Sequence, residues 1–282
     1  MIPESLTVVG LGAIGGSLAW QATRAGIRRV IGYSPRPAER IAALKAGAVS
    51  DVADSAARAV RGARLVVLAA PPAATLALID ELASRLEPGA ILTDVCSVKA
   101  VVVERAVRAG LGAVFAGSHP LAGTHDSGFQ AARPERLPGA VVYVTPTGVP
   151  GGDVTARGVM GFWREVLRAE PVLIDAEAHD RQLAWTSHLP QAMAYALART
   201  LADRELGPVS FGPGARDTTR LAASSPELWV DILLHNRGPI LEALGAGQTR
   251  LARLRALVAA GDAAGLRDYL DGAAAFRRGL DR

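Results

Sequence analysis

Three short segments carry side chains whose types and spacing could do chemistry. Gly117-Ser118-His119-Pro120-Leu121-Ala122-Gly123 sets one histidine among small residues and a proline. An imidazole on so stiff a segment, with open access, suits a general base near neutral pH. Taken alone, His119 fits a packed loop residue as well as a catalyst. Asp94-Val95-Cys96-Ser97-Val98-Lys99 brings a hydroxyl, Ser97, to the same region. Cys96 beside it is read as a buried small residue, since nothing in the pattern asks for a thiol nucleophile. The third segment, Gly10-Leu11-Gly12-Ala13-Ile14-Gly15, is a G-x-G-x-x-G loop between a strand-like and a helix-like run. That context distinguishes a dinucleotide loop from a chance run of glycines.

In such a loop Gly10 allows the tight turn, Gly12 admits the pyrophosphate, and Gly15 lets helix and strand pack. The helix end, with Ile14 in its first turn, offers free N–H groups to phosphates. Ala69, Ala70 and Pro71, at the end of a later strand, are further cofactor-binding candidates. The loop alone leaves flavin open. The choice among nicotinamide cofactors falls at the end of the second strand, Gly32-Tyr33-Ser34-Pro35-Arg36, with Arg40 one turn on. NAD sites usually place Asp or Glu there for the ribose hydroxyls. Here no carboxylate is expected to repel a 2′-phosphate, while Ser34 and Arg36 can donate to one. The reading is NADP over NAD, the alternative being that Arg36 is a surface arginine.

The elements that must position these residues alternate strand and helix. Strands are expected at Leu6–Val9, Arg29–Tyr33, Leu65–Ala69 and Ala90–Asp94, with Ala113–Ala116 and Ala140–Val144 extending the sheet. Helices are expected at Ser17–Ala25, Pro37–Ala46 and Thr75–Leu86. Such alternation implies a parallel sheet covered on both faces. Both chemical segments then follow strands at the carboxyl edge, where open α/β folds bind ligands. A helix to about Arg168 and a short strand, Pro171–Ile174, close this part. Beyond Asp175 the pattern turns helical: Ala176–Glu205 despite Pro190, then Pro226–Ala243, Gly247–Ala260 and Ala263–Arg278. The fold expected is α/β: a Rossmann dinucleotide-binding domain over residues 1–175, then an all-helical substrate-binding and dimerisation domain over 176–282.

Bulk properties narrow the class. The 282 residues carry a net charge of +4, with arginines scattered among acids. A nucleic-acid surface would cluster them, so none is expected. One cysteine excludes an internal disulfide and fits a reducing cytosol. The start lacks a basic n-region, so no signal peptide is expected, and no apolar run reaches the ~18 residues of a membrane span. A cytoplasmic protein is expected. No His, Cys, Asp and Glu set has metal-ligand spacing.

Five ordered motifs make the chain resemble the prephenate/arogenate dehydrogenase family of tyrosine biosynthesis. They are the glycine loop, Asp94–Lys99, Gly117–Gly123, Ser187-His188-Leu189-Pro190, and Arg216-Asp217-Thr218-Thr219-Arg220-Leu221-Ala222 followed by Trp229 and Asn236. The resemblance covers nearly the whole chain, and neither a chorismate mutase segment before it nor a regulatory domain after it is expected. It implies oxidative decarboxylation of a cyclohexadienol: hydride passes from C4 to the nicotinamide and the ring carboxylate leaves as CO2. In that reading His119 takes the C4 hydroxyl proton and Ser97 orients the hydroxyl. Arg220 grips a substrate carboxylate, its alternative being an ion pair with Asp217. Trp229 walls the pocket or packs helices. His188 serves the site or the structure. His179 and His235 are read as helix-surface or interface residues. A homodimer through the helical domain is implied, and it also covers the Leu, Val and Ala stripes over 226–270.

Two positions depart from the family pattern. Many prephenate-using members have S-H-L-P-H, where this chain has Gln191; a common acidic position is His125. Gln191 carries no charge, and an amide carbonyl tolerates the arogenate ammonium better than an imidazolium does. The reading leans to arogenate, or to dual use with prephenate. Its alternatives are a strict prephenate enzyme, an enzyme for amino-substituted prephenate, and a non-catalytic NADP-binding sensor. β-Hydroxyacid dehydrogenases share the domain plan but use a lysine on the first long helix of the second domain; here that helix has none, the two lysines being Lys45 and Lys99.

Overall fold

A computed structural model describes residues 3–123, 126–204, 207 and 210–280. His125 lies outside the described residues. The chain begins with β1 (Ser5–Val9), α1 (Ala13–Arg24), β2 (Arg29–Tyr33), α2 (Pro37–Lys45), β3 (Asp51–Val52), α3 (Ala56–Ala59) and β4 (Leu65–Leu68). It continues through α4 (Pro72–Leu82), β5 (Ile91–Asp94), α5 (Ala100–Arg108), β6 (Phe115–Pro120), β7 (Val141–Thr145), α6 (Gly152–Glu165) and β8 (Glu170–Leu173). These strands form one sheet in the order β3-β2-β1-β4-β5-β6-β7-β8. The order reverses between β1 and β4, the switch point at which open α/β sheets hold ligands.

Strands β1 and β4 are buried along their whole length because helices cover both faces. One apolar core lies under α1 and α6, with Leu18, Phe162 and Trp163; the other lies under α4 and α5, with Ile79 and Val102. The sheet is not parallel throughout. β7 runs antiparallel to β6, pairing His119 with Tyr143, and β8 then lies parallel to β7. The strand expected at Ala113–Ala116 instead runs through His119, which is therefore a strand residue rather than a loop residue.

The helical part holds α7 (Ala176–Leu183), α8 (Leu189–Ala202), α9 (Pro213–Thr219), α10 (Pro226–His235), α11 (Arg237–Ala260) and α12 (Ala263–Gly279). Asp175 caps α7 by accepting from the Ala178 N–H at 2.9 Å, a bond worth about 1 kcal/mol. The long helix expected over 176–205 is interrupted by a π-helical turn, Ala184–His188, just before Pro190. Proline has no N–H and its ring crowds the preceding turn, so the backbone widens there. Glu205 lies outside the described residues. The helix expected over 226–243 breaks at Asn236, and α11 runs unbroken through Gly245 and Gly247. The break follows from a side chain: Asn236 faces inward onto two buried acceptors described below.

Among the described residues, no helix is long and apolar enough to cross a membrane. Among them, too, no group of three or more His, Cys, Asp and Glu side chains is placed to hold a metal ion.

Candidate active site

The glycine loop follows β1 and opens α1. A Cβ on Gly10 would lie 2.1 Å from the Ala69 carbonyl oxygen, and one on Gly15 would lie 1.9 Å from the Gly10 oxygen. Gly10 has φ +108°, which side-chain-bearing residues rarely adopt. By contrast, nothing stands within 4 Å of where a Gly12 Cβ would be. The backbone is thus packed tightly behind the turn and open in front of Gly12, as a pyrophosphate requires. The Ala69 N–H donates to the Val9 oxygen at 2.7 Å, which ties the ends of β1 and β4 together. Ala70 accepts from Thr75 Oγ1 at 3.1 Å, and Pro71 caps α4. Ile14 is half-buried in the first turn of α1.

The end of β2 differs from expectation. Glu39, from the first turn of α2, reaches back: its Oε2 accepts from Ser34 Oγ at 2.5 Å and its Oε1 pairs with Arg36 at 3.0 Å. A carboxylate therefore does stand beside Ser34, supplied by the next helix and not by the strand end. Arg36 is itself largely exposed. Arg40 donates to the Ser34 carbonyl and lies over the Tyr33 ring.

Behind His119 lies a buried ion pair. Lys99 and Asp94 are fully buried and bonded to each other. Lys99 Nζ also donates to the Ser118 carbonyl at 2.8 Å, while Asp94 accepts the backbone N–H groups of Cys96 and Ser118 at 2.8 and 3.1 Å. The Ser118 hydroxyl meets Thr93 Oγ1 at 2.8 Å and accepts from Trp163 Nε1 at 3.0 Å. Ser118 is thus fixed on one face of β6, and the strand's alternation turns His119 to the other. The same ties stiffen the turn that carries Ser97, which is half-buried and whose hydroxyl has no partner among the described residues. Burial and the Asp94 charge push the Cys96 thiol well up, so it is inert as a nucleophile.

On the His119 side the ring is 8 % exposed. Its Nδ1 lies 2.9 Å from Nε2 of His179, and His179 Nδ1 lies 2.8 Å from Oδ1 of Asp180. His179 is fully buried, with the Tyr143 ring set edge-on at 5.5 Å. The expectation of a surface or interface His179 is therefore corrected: the i, i+3 pattern of α7 turns it inward, where Asp180 on the same helix and His119 on β6 partner its two ring nitrogens. Asp180 accepts the Lys99 and Ala100 N–H groups at 2.8 and 2.9 Å, at the N-terminus of α5. Burial first, then His179, Lys99 and His188, hold His119 well below the usual imidazole range. It is neutral at pH 7 and available as a base.

His188, on the π turn, is 1 % exposed; its Nδ1 faces Asn236 Nδ2 at 3.1 Å, and the Trp229 ring stands edge-on at 5.9 Å. Asn236 Nδ2 also donates to the Asp180 carbonyl at 2.8 Å. Burial brings His188 down to about 4. Trp229 is half-buried and packs on the α4–α5 core as well as on His188. Gln191 is buried, and its Nε2 donates to the Leu221 carbonyl at 2.6 Å. It thereby anchors the turn that follows Arg220. Arg220 is exposed, forms no ion pair with Asp217, and has no hydrogen bond to the His119 cluster among the described residues. Sequence reasoning missed Lys99, Asp180 and Glu39; the spacing of Asp94 and Lys99, five apart across a strand end, was the one signal for the first.

Residues 18–166 match the family described as "Prephenate dehydrogenase, nucleotide-binding domain", and residues 175–272 match "Prephenate dehydrogenase, dimerization domain". The chain belongs to the prephenate dehydrogenase family. Among members of that family, the prephenate dehydrogenase of Bacillus subtilis is 35 % identical over 98 % of this chain and 76 % of its own length. A crystal structure of the Aquifex aeolicus prephenate dehydrogenase with hydroxyphenyl propionate and NAD+ superposes with a TM-score of 0.89 at 28 % identity, covering 98 % of both chains. The Synechocystis arogenate dehydrogenase structure superposes at 0.80 with 28 % identity, over 98 % of this chain and 99 % of that one. Membership in the prephenate dehydrogenase family makes this chain an oxidoreductase with a nucleotide-binding Rossmann domain, as the five motifs implied.

Proposed function

We propose that this enzyme oxidatively decarboxylates a cyclohexadienol, arogenate ahead of prephenate, with NADP ahead of NAD. The observation that carries the reading is the His119 ring at the carboxyl edge of the sheet that opens on the glycine loop, its Nδ1 engaged by His179 and its other nitrogen left for substrate. A bound nicotinamide supplies the acceptor for the C4 hydride. His119 Nε2 takes the C4 hydroxyl proton as that carbon becomes a carbonyl. The bond from the ring to its carboxylate then breaks, CO2 leaves, and the electron pair flows through the ring to the C4 oxygen. The resulting phenolate takes a proton back, which balances the step. Ser97 orients the hydroxyl, and its free Oγ supports that role. Arg220 binds a substrate carboxylate through two parallel bonds. Trp229 and His188 wall the pocket.

The substrate preference rests on Gln191. One of its two amide N–H groups is committed to Leu221, and we assign its carbonyl oxygen to the ammonium that arogenate has and prephenate lacks. The cofactor preference rests on Arg36 and Arg40 flanking Ser34, with Glu39 partly neutralised by Arg36. The chain is read as a homodimer through the helical part, where Val230, Leu234, Leu241, Val258 and Phe276 are exposed. We read the domain boundary at 175/176, between the last strand and α7. Initial rates of reduced-cofactor formation with arogenate and with prephenate test the reading: kcat/KM higher for arogenate supports it, and turnover of prephenate far above arogenate overturns the substrate assignment.

A further inference from the structure

The Asp180 carboxylate accepts three hydrogen bonds: two from the backbone at the start of α5 and one from His179 Nδ1. Two of those partners are backbone N–H groups that can only donate, and the carboxylate oxygens accept from all three. His179 therefore carries its proton on Nδ1, and its Nε2 presents a lone pair. That lone pair lies 2.9 Å from His119 Nδ1, so His119 is the Nδ1–H tautomer and its Nε2 is unprotonated. The orientation and the tautomer of the base are both set from behind, by a residue on another element. The logic is that of a carboxylate fixing a catalytic imidazole, with one more imidazole between.

We propose that His179 and Asp180 form a proton-accepting chain behind His119, holding its Nε2 free for substrate and drawing off its Nδ1 proton as Nε2 is protonated. This rests on the dehydrogenase reading above. In the step, the substrate hydroxyl proton goes to His119 Nε2, the His119 Nδ1 proton passes to His179 Nε2, and His179 becomes an imidazolium hydrogen-bonded to the Asp180 carboxylate. The reverse transfers return a proton to the phenolate, so no proton is gained or lost. Positive charge then rests on His179, beside the Asp180 carboxylate, and not on the ring next to substrate. His179 and Asp180 are positioning residues, because they act through His119. The charged and titratable groups facing the pair are Lys99 and Asp94 from the β5–α5 segment, Tyr143 from β7, and His188 from the π turn. None of these has a hydrogen bond to either imidazole, so none replaces His179.

His179→Gln and His179→Leu test this in the purified enzyme. Gln keeps an acceptor for the His119 proton and cannot relay it; Leu removes both. We expect kcat to fall about ten-fold in Gln, less than the loss of a whole general base, and about a hundred-fold or more in Leu, within the range of such a loss, with KM for both substrates changed less than two-fold. In Gln the proton taken up at low pH has only His119 to rest on, away from Asp180. The acid limb of the kcat profile therefore moves to lower pH, by about half a unit or more, as a lost favourable partner requires. Unchanged kcat overturns the proposal, as does a fall in kcat with the limb unmoved, which assigns His179 to packing. Nitrogen-15 NMR of histidine-labelled wild-type enzyme decides the tautomer without any substrate or variant. We expect His119 protonated at Nδ1 and bare at Nε2; protonation at Nε2 overturns the chain even if the enzyme turns over arogenate.

Discussion

Asn236 Nδ2 lies 3.1 Å from Nδ1 of His188, and that contact decides which nitrogen of the imidazole carries the proton. An amide N–H2 only donates, so His188 Nδ1 accepts and Nε2 bears the hydrogen. That Nε2–H is buried and has no partner among the described residues. A buried donor without an acceptor costs about 1–3 kcal/mol, and a protein tolerates it most readily where a ligand supplies the acceptor.

His188→Phe removes the donor and keeps an aromatic ring, somewhat larger, against Trp229. KM for the cyclohexadienyl substrate should rise about ten-fold, with the denaturation midpoint unchanged or raised. A variant with unchanged KM and a lower midpoint places His188 in packing alone.

The Asp94–Lys99 pair invites a different test. Lys99→Met should lower the stability of the protein by about 3–5 kcal/mol, because it strands a buried carboxylate. Adding Asp94→Asn, which removes the charge and keeps an acceptor for the Cys96 and Ser118 N–H groups, should recover part of that loss. Urea denaturation of the two variants measures both, and a double variant less stable than Lys99→Met contradicts the reading of Lys99 as Asp94's counter-ion.

The architecture was legible in the sequence because its signals are local: Gly10, Gly12 and Gly15 at fixed spacing, apolar strand runs, and glycines closing α1 and α2. His119 and Ser97 were legible for the same reason, through short motifs. What the sequence hid is what depends on tertiary pairing. His179 looks like any polar residue on an amphipathic helix until α7 is laid against β6 and β7. Glu39 lies five residues from Ser34, and only the path of α2 brings its carboxylate back to the strand end. The register of β6 was missed because Gly117 and Pro120 read as loop, whereas antiparallel pairing with β7 holds them extended.

Cofactor choice turns on Glu39. Its carboxylate occupies Ser34 and Arg36, the two donors assigned to a 2′-phosphate. Glu39→Gln should therefore lower KM for NADP about five-fold by removing one nearby negative charge, and Arg36→Ala should raise it about ten-fold while leaving KM for NAD within two-fold. Steady-state kinetics with both cofactors measures this. A wild-type enzyme that strongly prefers NAD, with Arg36→Ala silent, contradicts the NADP assignment.

The buried imidazoles also set a pH dependence of stability. His119, His179 and His188 are all lowered, chiefly by burial. Between about 4, where His188 titrates in the folded protein, and the ordinary value near 6.5, the unfolded chain binds more protons than the folded one. Stability therefore rises with pH across that window and is lost as pH falls, each fully shifted imidazole contributing up to about 1.4 kcal/mol per pH unit. Denaturant midpoints should fall from pH 7 to pH 5; a midpoint that holds or rises contradicts the assignment of neutral imidazoles.

We propose His119 as the base in an oxidative decarboxylation of a cyclohexadienol. Its most direct test follows absorbance of reduced cofactor and released CO2 together, with arogenate, in wild-type enzyme and in His119→Asn. We expect one CO2 per reduced cofactor in the wild type, and in His119→Asn cofactor binding that persists while turnover falls about a hundred-fold or more. Cofactor reduction without CO2, or full turnover in His119→Asn, contradicts it.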